Sequence, residues 1–266
     1  MEKKIISVGA NKGGTGKSAL ALFAGIVSAE NGKRCAVFDM DSQCGLSFRV
    51  PGAVKLLRRN LVKLIASGKD FEFGEMQTGK NLWFIPGDLA ANVYGEREFD
   101  KETVDRVIER LMDSYDVLVI DSGPRPTKIE RHFLSKGDVH FLPAGSDKAS
   151  IVGVIYRMID VFDSVGALPR DRFFFIPWGV NTSEKTGKNA QLVENMAVVM
   201  DEFGMSVLPP FPPVQDMTDF ICGLDSMDLS HFLKYPGIAR KRKNIIEWAD
   251  ILWSKIDSQD KKGKKK

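Results

Sequence analysis

Cysteine is nearly absent: Cys35, Cys44 and Cys222 are the only three in 266 residues, and no two form a C-x-x-C pair. That scarcity excludes a disulfide framework and leaves them as small residues in or near the core of a reduced protein. Tyrosine is almost as rare, with four residues and none beyond Tyr235. No apolar run approaches the roughly 20 residues that cross a bilayer. Met1-Glu2-Lys3-Lys4 runs straight into a strand-like segment without a signal-peptide cleavage pattern, so a cytoplasmic location is expected. No internal repeat and no domain linker are visible.

What is present is ordinary for a folded domain: 43% apolar and 27% charged residues, in a chain long enough for one large core. The net charge of +3 is unevenly spread. Lys234 to Lys266 holds eleven Lys/Arg against four Asp/Glu, leaving 27 basic and 31 acidic residues in the rest. A slightly acidic body with a basic C-terminal end suggests a polyanionic partner, nucleic acid or an acidic membrane surface.

Short apolar runs alternate with helical patterns. Ile5–Ala10, Cys35–Asp39, Asn81–Pro86, Asp116–Asp121, Val139–Pro143, Phe173–Pro177 and Val207-Leu208 read as strands. Ser18–Glu30, Lys101–Ser114, Ser150–Val165, Ala190–Phe203 and Asn244–Ile256 read as helices. Strands this short and continuously apolar fit parallel strands covered on both faces. The expectation is a single α/β domain over residues 1–257, a doubly wound, mostly parallel sheet with helices on both faces. Residues 258–266 form a lysine-rich tail expected to be disordered.

Lys12-Gly13-Gly14-Thr15-Gly16-Lys17-Ser18 lies between the first strand and the first helix. It satisfies the P-loop pattern, read as Gly-x-x-x-x-Gly-Lys-Ser from Gly9. Glycines let the backbone turn its N–H groups around phosphate oxygens, and the following helix N-terminus adds its dipole. Lys17 is expected to reach the β- and γ-phosphates of a nucleotide, and the Ser18 hydroxyl to ligate Mg²⁺. A chance match to all fixed positions has odds on the order of 10⁻⁴.

The second strand ends in Phe38-Asp39-Met40-Asp41-Ser42-Gln43. Its two carboxylates, at strand spacing i, i+2, point the same way at the end where α/β ligands bind. Asp116–Asp121 is an apolar run closing on a carboxylate, and a buried ionised Asp121 needs a counter-ion such as Mg²⁺ acting through its water shell.

With these residues in view, Lys12 makes the loop resemble the deviant Walker A motif of the ParA/MinD family of ATPases. That resemblance implies ATP and Mg²⁺ as cofactors and a homodimer closed around ATP, with Lys12 reaching the phosphates held by the other subunit. Gly13, Gly14, Thr15, Gly16, Lys17, Ser18 and Ala19 would bind the nucleotide. Asp41 matches the position that orients the attacking water, with Lys12 and Lys17 as its catalytic companions. Ser18, Asp39 and Asp121 would form the metal's surroundings. Ser122-Gly123-Pro124 resembles the family's switch segment but departs from it at Gly123, and Arg125 follows as a contact to partner, nucleotide or DNA or as a plain surface residue. Asn81–Gly87 and Asp138–Pro143 resemble further family segments. Asn181 and Pro209 fall where the family reads and packs the base, although Asn181 also suits an ordinary cap.

Arg240, Lys241, Arg242 and Lys243 open the last helix. Cations at a helix start oppose its dipole. They read either as a solvated patch or as a nonspecific DNA-binding surface, as in ParA-like proteins. Ile245, Ala249, Leu252 and Ile256 share one helix face, which either packs on the core or, as in MinD-like proteins, enters a membrane interface. The resemblance therefore implies a partitioning or positioning ATPase, weak until a partner protein stimulates it and associated with the nucleoid where it binds DNA, with a membrane-surface regulator as the alternative. Iron–sulfur relatives need cysteines this chain lacks, and a P-loop tyrosine kinase needs a tyrosine-rich tail.

Overall fold

The computed structural model describes residues 2–59, 61–67, 74–145, 147–165, 170–179, 194, 196–198, 200–212, 217–223, 226–234, 238 and 241–258. Eight strands, β1 (Lys4–Val8), β2 (Cys35–Asp39), β3 (Met76–Gly79), β4 (Leu82–Ile85), β5 (Val117–Asp121), β6 (Val139–Ala144), β7 (Phe173–Pro177) and β8 (Ser206–Val207), form one sheet in the order β3-β4-β2-β5-β1-β6-β7-β8. Every pairing is parallel except that of β3 with β4. This is the mostly parallel, doubly wound sheet expected from the sequence.

The strands are apolar on both sides because both sides are covered. Ile6, Val8, Val37, Val119 and Phe141 face a cluster that includes α1 (Lys17–Glu30) and the C-terminal helix Arg242–Ser258. Ile5, Phe38, Leu118, Ile120 and Leu142 face the opposite cluster, shared with α4 (Lys101–Ser114), α5 (Lys128–Ser135) and α6 (Lys148–Val165). Two short helices, α2 (Leu61–Ser67) and α3 (Ala91–Tyr94), precede α4.

Helix starts follow from local chemistry. Asp100 accepts hydrogen bonds from the N–H groups of Glu102 and Thr103 ahead of α4. Thr127 and Glu130 form a reciprocal capping box at α5. By contrast, α1 has no side-chain cap and no acidic residue in its first turn, so its N-terminal N–H groups remain open for an anion.

Three elements depart from the sequence expectation. Asn81 does not open a strand; it takes φ 59° in the turn between β3 and β4. The β3 segment, Met-Gln-Thr-Gly, carries no apolar run and is held by antiparallel pairing to β4. The last helix starts at Arg242, two residues earlier than expected, and buries Ile245, Trp248, Ala249, Leu252 and Ile256 on the core. Its apolar face is therefore spent on packing. Of the expected helix Ala190–Phe203, residues 194, 196–198 and 200–202 are described and helical; the tail 259–266 lies outside the described residues. No helix among the described residues is long and apolar enough to cross a membrane.

Candidate functional site

Sheet register brings the motif residues together. Val8 pairs with Asp121, and Asp39 pairs with the same Asp121, so the ends of β1, β2 and β5 lie side by side. The phosphate-type loop leaves β1 there and passes into α1. Gly14 and Gly16 adopt left-handed φ of 74° and 83°, which turns the loop onto the helix start. Around it lies a cavity of about 490 Å³ lined by Gly13, Gly14, Thr15, Gly16, Lys17, Ser18 and Ala19, with Asp41, Gln43, Gly45, Arg49, Pro124, Trp178 and Met217. That volume is in the range of ligand pockets.

Lys17 is buried, and its ammonium donates to the Lys12 carbonyl at 2.9 Å. Burial pushes its pKa down, opposed by the nearby Asp121 and Asp41 carboxylates. Asp121 is buried beneath it, and neither of its oxygens has a hydrogen-bond donor of normal geometry among the described residues. Burial and the adjacent Asp39 push its carboxyl well above the usual range, while the Ser18 hydroxyl and Lys17 act the other way. A buried carboxylate left this way is stabilised by an added cation.

Asp39 is already engaged. One oxygen accepts from the Ser47 N–H at 2.8 Å and the Ser47 hydroxyl at 2.6 Å, the other from the Asp41 N–H at 3.2 Å. Burial still pushes its carboxyl up to about 6 against those bonds. So held, Asp39 has both carboxylate oxygens engaged in hydrogen bonds. Asp41 is half-buried, lines the cavity, and accepts from the Gln43 N–H at 2.9 Å. It is the carboxylate placed to meet solvent and ligand together.

Lys12 stands apart from this group: its ammonium pairs with Asp147, 2.8 Å away, at the start of α6. Pro209 is exposed beyond β8, outside the cavity lining, and Asn181 lies outside the described residues. Of the basic cluster, Arg240 is likewise outside, whereas Arg242 and Lys243 are exposed in the first turn of the C-terminal helix and Lys241 is half-buried just before it.

Sequence reasoning passed over Trp178. It follows β7 directly, and its indole lies against Gly16 on one side while stacking on Phe211 on the other, with ring centroids 4.4 Å apart and planes 10° from parallel. Arg49, on the loop after β2, brings a second cation to the cavity wall. Only their distance in sequence from the glycine-rich loop hid them.

A glycine-rich turn opening on an uncapped helix, a lysine buried over it and carboxylates closing the neighbouring strands define a P-loop nucleotide-binding protein. The chain belongs to the AAA domain family, whose model matches residues 3–167, and has the fold of ParA/MinD-type P-loop ATPases. It is 27% identical over 172 residues to an uncharacterized protein of Methanocaldococcus jannaschii, a match covering 60% of this chain and 66% of that one. It is 23% identical over 212 residues to the maintenance of carboxysome distribution protein A of Synechococcus elongatus, covering 74% and 81% of the two chains. Among solved structures, a plasmid partition protein of Borrelia burgdorferi B31 bound to AMPPNP superposes with a TM-score of 0.71 at 18% identity, covering 92% of this chain and 98% of that one.

Proposed function

We propose that this protein is an ATP-dependent switch: it binds ATP with Mg²⁺, closes as a homodimer around the nucleotide, binds nonspecific DNA in that state, and releases it on hydrolysis. The observation that carries the reading is the convergence of Lys17, Ser18 and Asp41 on one cavity beside an uncapped helix start, with the buried Asp121 carboxylate close to Lys17 and Ser18.

Each residue has a defined task. The N–H groups of Gly13 to Ala19 and the α1 dipole bind phosphate oxygens. Lys17 supplies positive charge where the terminal phosphate gains negative charge. Ser18 and Asp121 would hold Mg²⁺, with Asp39 acting through its water shell. No cluster of three acidic, His or Cys residues competes for a metal among the described residues, which suits an ion that takes one carboxylate, a hydroxyl and phosphate oxygens. When bound, the ion would neutralise phosphate charge. Asp41 orients the attacking water by accepting its hydrogen bond. Lys12, on the rim, would complete the site of the other subunit.

The positioning role is supported by relatives that bear the names of plasmid partition and carboxysome distribution proteins. The cargo would be a plasmid, a chromosome region or a large assembly, and an adaptor protein would accelerate a slow ATPase. Nucleoid association follows from DNA binding. DNA is favoured over a membrane because the apolar stripe of the last helix is buried while Arg242 and Lys243 remain exposed.

The test is retention on nonspecific DNA at moderate salt with ATP, ADP or no nucleotide, for the native chain and Asp41→Ala. Retention only with ATP, prolonged by Asp41→Ala, supports the switch. Retention indifferent to nucleotide, or none at all, overturns it, and ATP-dependent binding to anionic vesicles would then select the membrane reading.

A further inference from the structure

Arg157, on α6, is among the largest side chains that the fold buries completely, with 1% of its surface exposed. It belongs to no phosphate-binding motif. A guanidinium withdrawn from water persists only where neighbours compensate it. Here one nitrogen donates to the Gly123 carbonyl, and the buried carboxylate of Glu130 on α5 supplies the opposing charge.

Glu130 reaches the same short segment. It accepts from the Ser122 hydroxyl at 2.6 Å, the Gly123 N–H at 3.0 Å and the Thr127 N–H at 3.2 Å. Gly123 is therefore gripped at its N–H by Glu130 and at its carbonyl by Arg157. The space beside its Cα belongs to Asp41: a Cβ built on Gly123 would lie 3.0 Å from the Asp41 Oδ1 and 3.3 Å from its Cγ. The guanidinium also runs under the start of the phosphate loop, where a Cβ on Gly9 would lie 3.1 Å from the Arg157 Nε. One buried cation thus spans both the loop that would hold the phosphates and the segment that walls in Asp41.

Stability alone gives a poor reason for this arginine. Its Nε and Nη1 have no acceptor among the described residues. Burying donors unsatisfied is unfavourable, and apolar residues of similar volume often replace buried ion pairs without loss.

We infer that Arg157 is a positioning residue for hydrolysis: through the Gly123 backbone it fixes the Asp41 carboxylate relative to the phosphate loop, and Glu130 keeps guanidinium and segment in register. This rests on the reading of Asp41 as the residue that orients water.

The experiment measures kcat, KM and affinity for a fluorescent ATP analogue in the full chain with Mg²⁺. The variant is Arg157→Met combined with Glu130→Gln, which leaves no unpaired buried charge. Gly123→Ala is the second variant, since it intrudes on Asp41 and leaves the buried pair untouched. Both are expected to lower kcat by about ten- to a hundredfold, the scale of a small misplacement of reacting groups, with nucleotide affinity changed less than about threefold. In an Asp41→Ala background neither change should slow hydrolysis further. An unchanged kcat, equal losses of kcat and affinity, or full additivity with Asp41→Ala overturns the inference while leaving the ATPase reading intact. A native chain that hydrolyses no ATP overturns both.

Discussion

The ammonium of Lys12 lies 2.8 Å from Asp147 of its own chain, and the same Asp147 accepts from the Ser150 N–H at 3.0 Å at the start of α6. The lysine proposed to act across a dimer is therefore engaged within the monomer. Its pair is about half exposed and adds little to stability. Asp147→Ser would release Lys12 while keeping a helix-capping oxygen. The expected result is an unchanged melting temperature and ATP-dependent dimerisation at several-fold lower protein concentration, measured by sedimentation. Dimerisation unaltered by the substitution would show that the pair does not compete with assembly.

Gly16 supplies a second prediction. At φ 83° it is in a region that L side chains rarely adopt, and a Cβ there would lie 2.0 Å from the Trp178 ring. The ring cannot withdraw easily, because Phe211 stacks behind it and Trp248 packs on Phe211 at 5.1 Å. Gly16→Ala should therefore cost about 1–3 kcal/mol of stability and abolish ATP binding, whereas Gly32→Ala, with a φ of 76° but open space, should lose stability alone. Calorimetry with ATP separates the two, and nucleotide binding retained by Gly16→Ala would contradict the packing argument.

These two relationships show what the sequence made legible. The loop from Gly9 to Ser18 could be read because its chemistry is contiguous: glycines, lysine and serine at fixed spacing. Asp39, Asp41 and Asp121 could be read because each closes an apolar run. Trp178, Arg157 and Glu130 could not, since their roles arise only in the folded sheet: Trp178 meets Gly16 and Arg157 meets Gly9 across more than a hundred residues, and Glu130 matters through its grip on Gly123, which Arg157 shares. Met76–Gly79 was illegible for a different reason. A partly exposed edge strand needs no apolar run, and its pairing depends on Asn81 turning the chain.

His140 sets a pH limit on the fold. It is buried on β6, its Nδ1 within hydrogen-bond distance of the Ser7 hydroxyl and its ring stacked on Phe173, and its Nε2 has no hydrogen bond of normal geometry among the described residues. Burial pushes its pKa down to about 3, from an ordinary value of 6.5. The unfolded chain therefore binds a proton that the native one refuses, so this contribution to stability is complete above about pH 6.5 and lost progressively as pH falls towards 3. Between pH 7.5 and 4 the native chain should lose roughly 2–3 kcal/mol more stability than His140→Phe, measured by urea unfolding. Buried carboxylates such as Glu130 respond in the opposite sense but cancel in the comparison. Parallel pH profiles for the two proteins would rule the histidine out.

The basic segment yields the prediction that most directly separates a DNA surface from solvated charge. Arg242 and Lys243 are exposed, and the carboxylate that Lys243 approaches among the described residues, Glu247, is 3.9 Å away, too loose to neutralise it. They stand in the first turn of a helix whose dipole disfavours them, a placement that phosphate contacts would offset. Each phosphate neutralised releases counter-ion and steepens the dependence of log K on log salt by about 0.9. Replacing Arg240, Lys241, Arg242 and Lys243 with alanine should therefore make the slope for the ATP-bound protein about 3 to 4 units shallower, with ATP affinity unchanged. The effect should be the same for DNA of any sequence, because backbone contacts carry no base information. Removing residues 259–266 should change the slope less, since the proposed contact lies at the start of the last helix. If the tail deletion alone flattens the slope and the fourfold variant does not, the DNA contact belongs to the lysine tail and not to the start of the last helix.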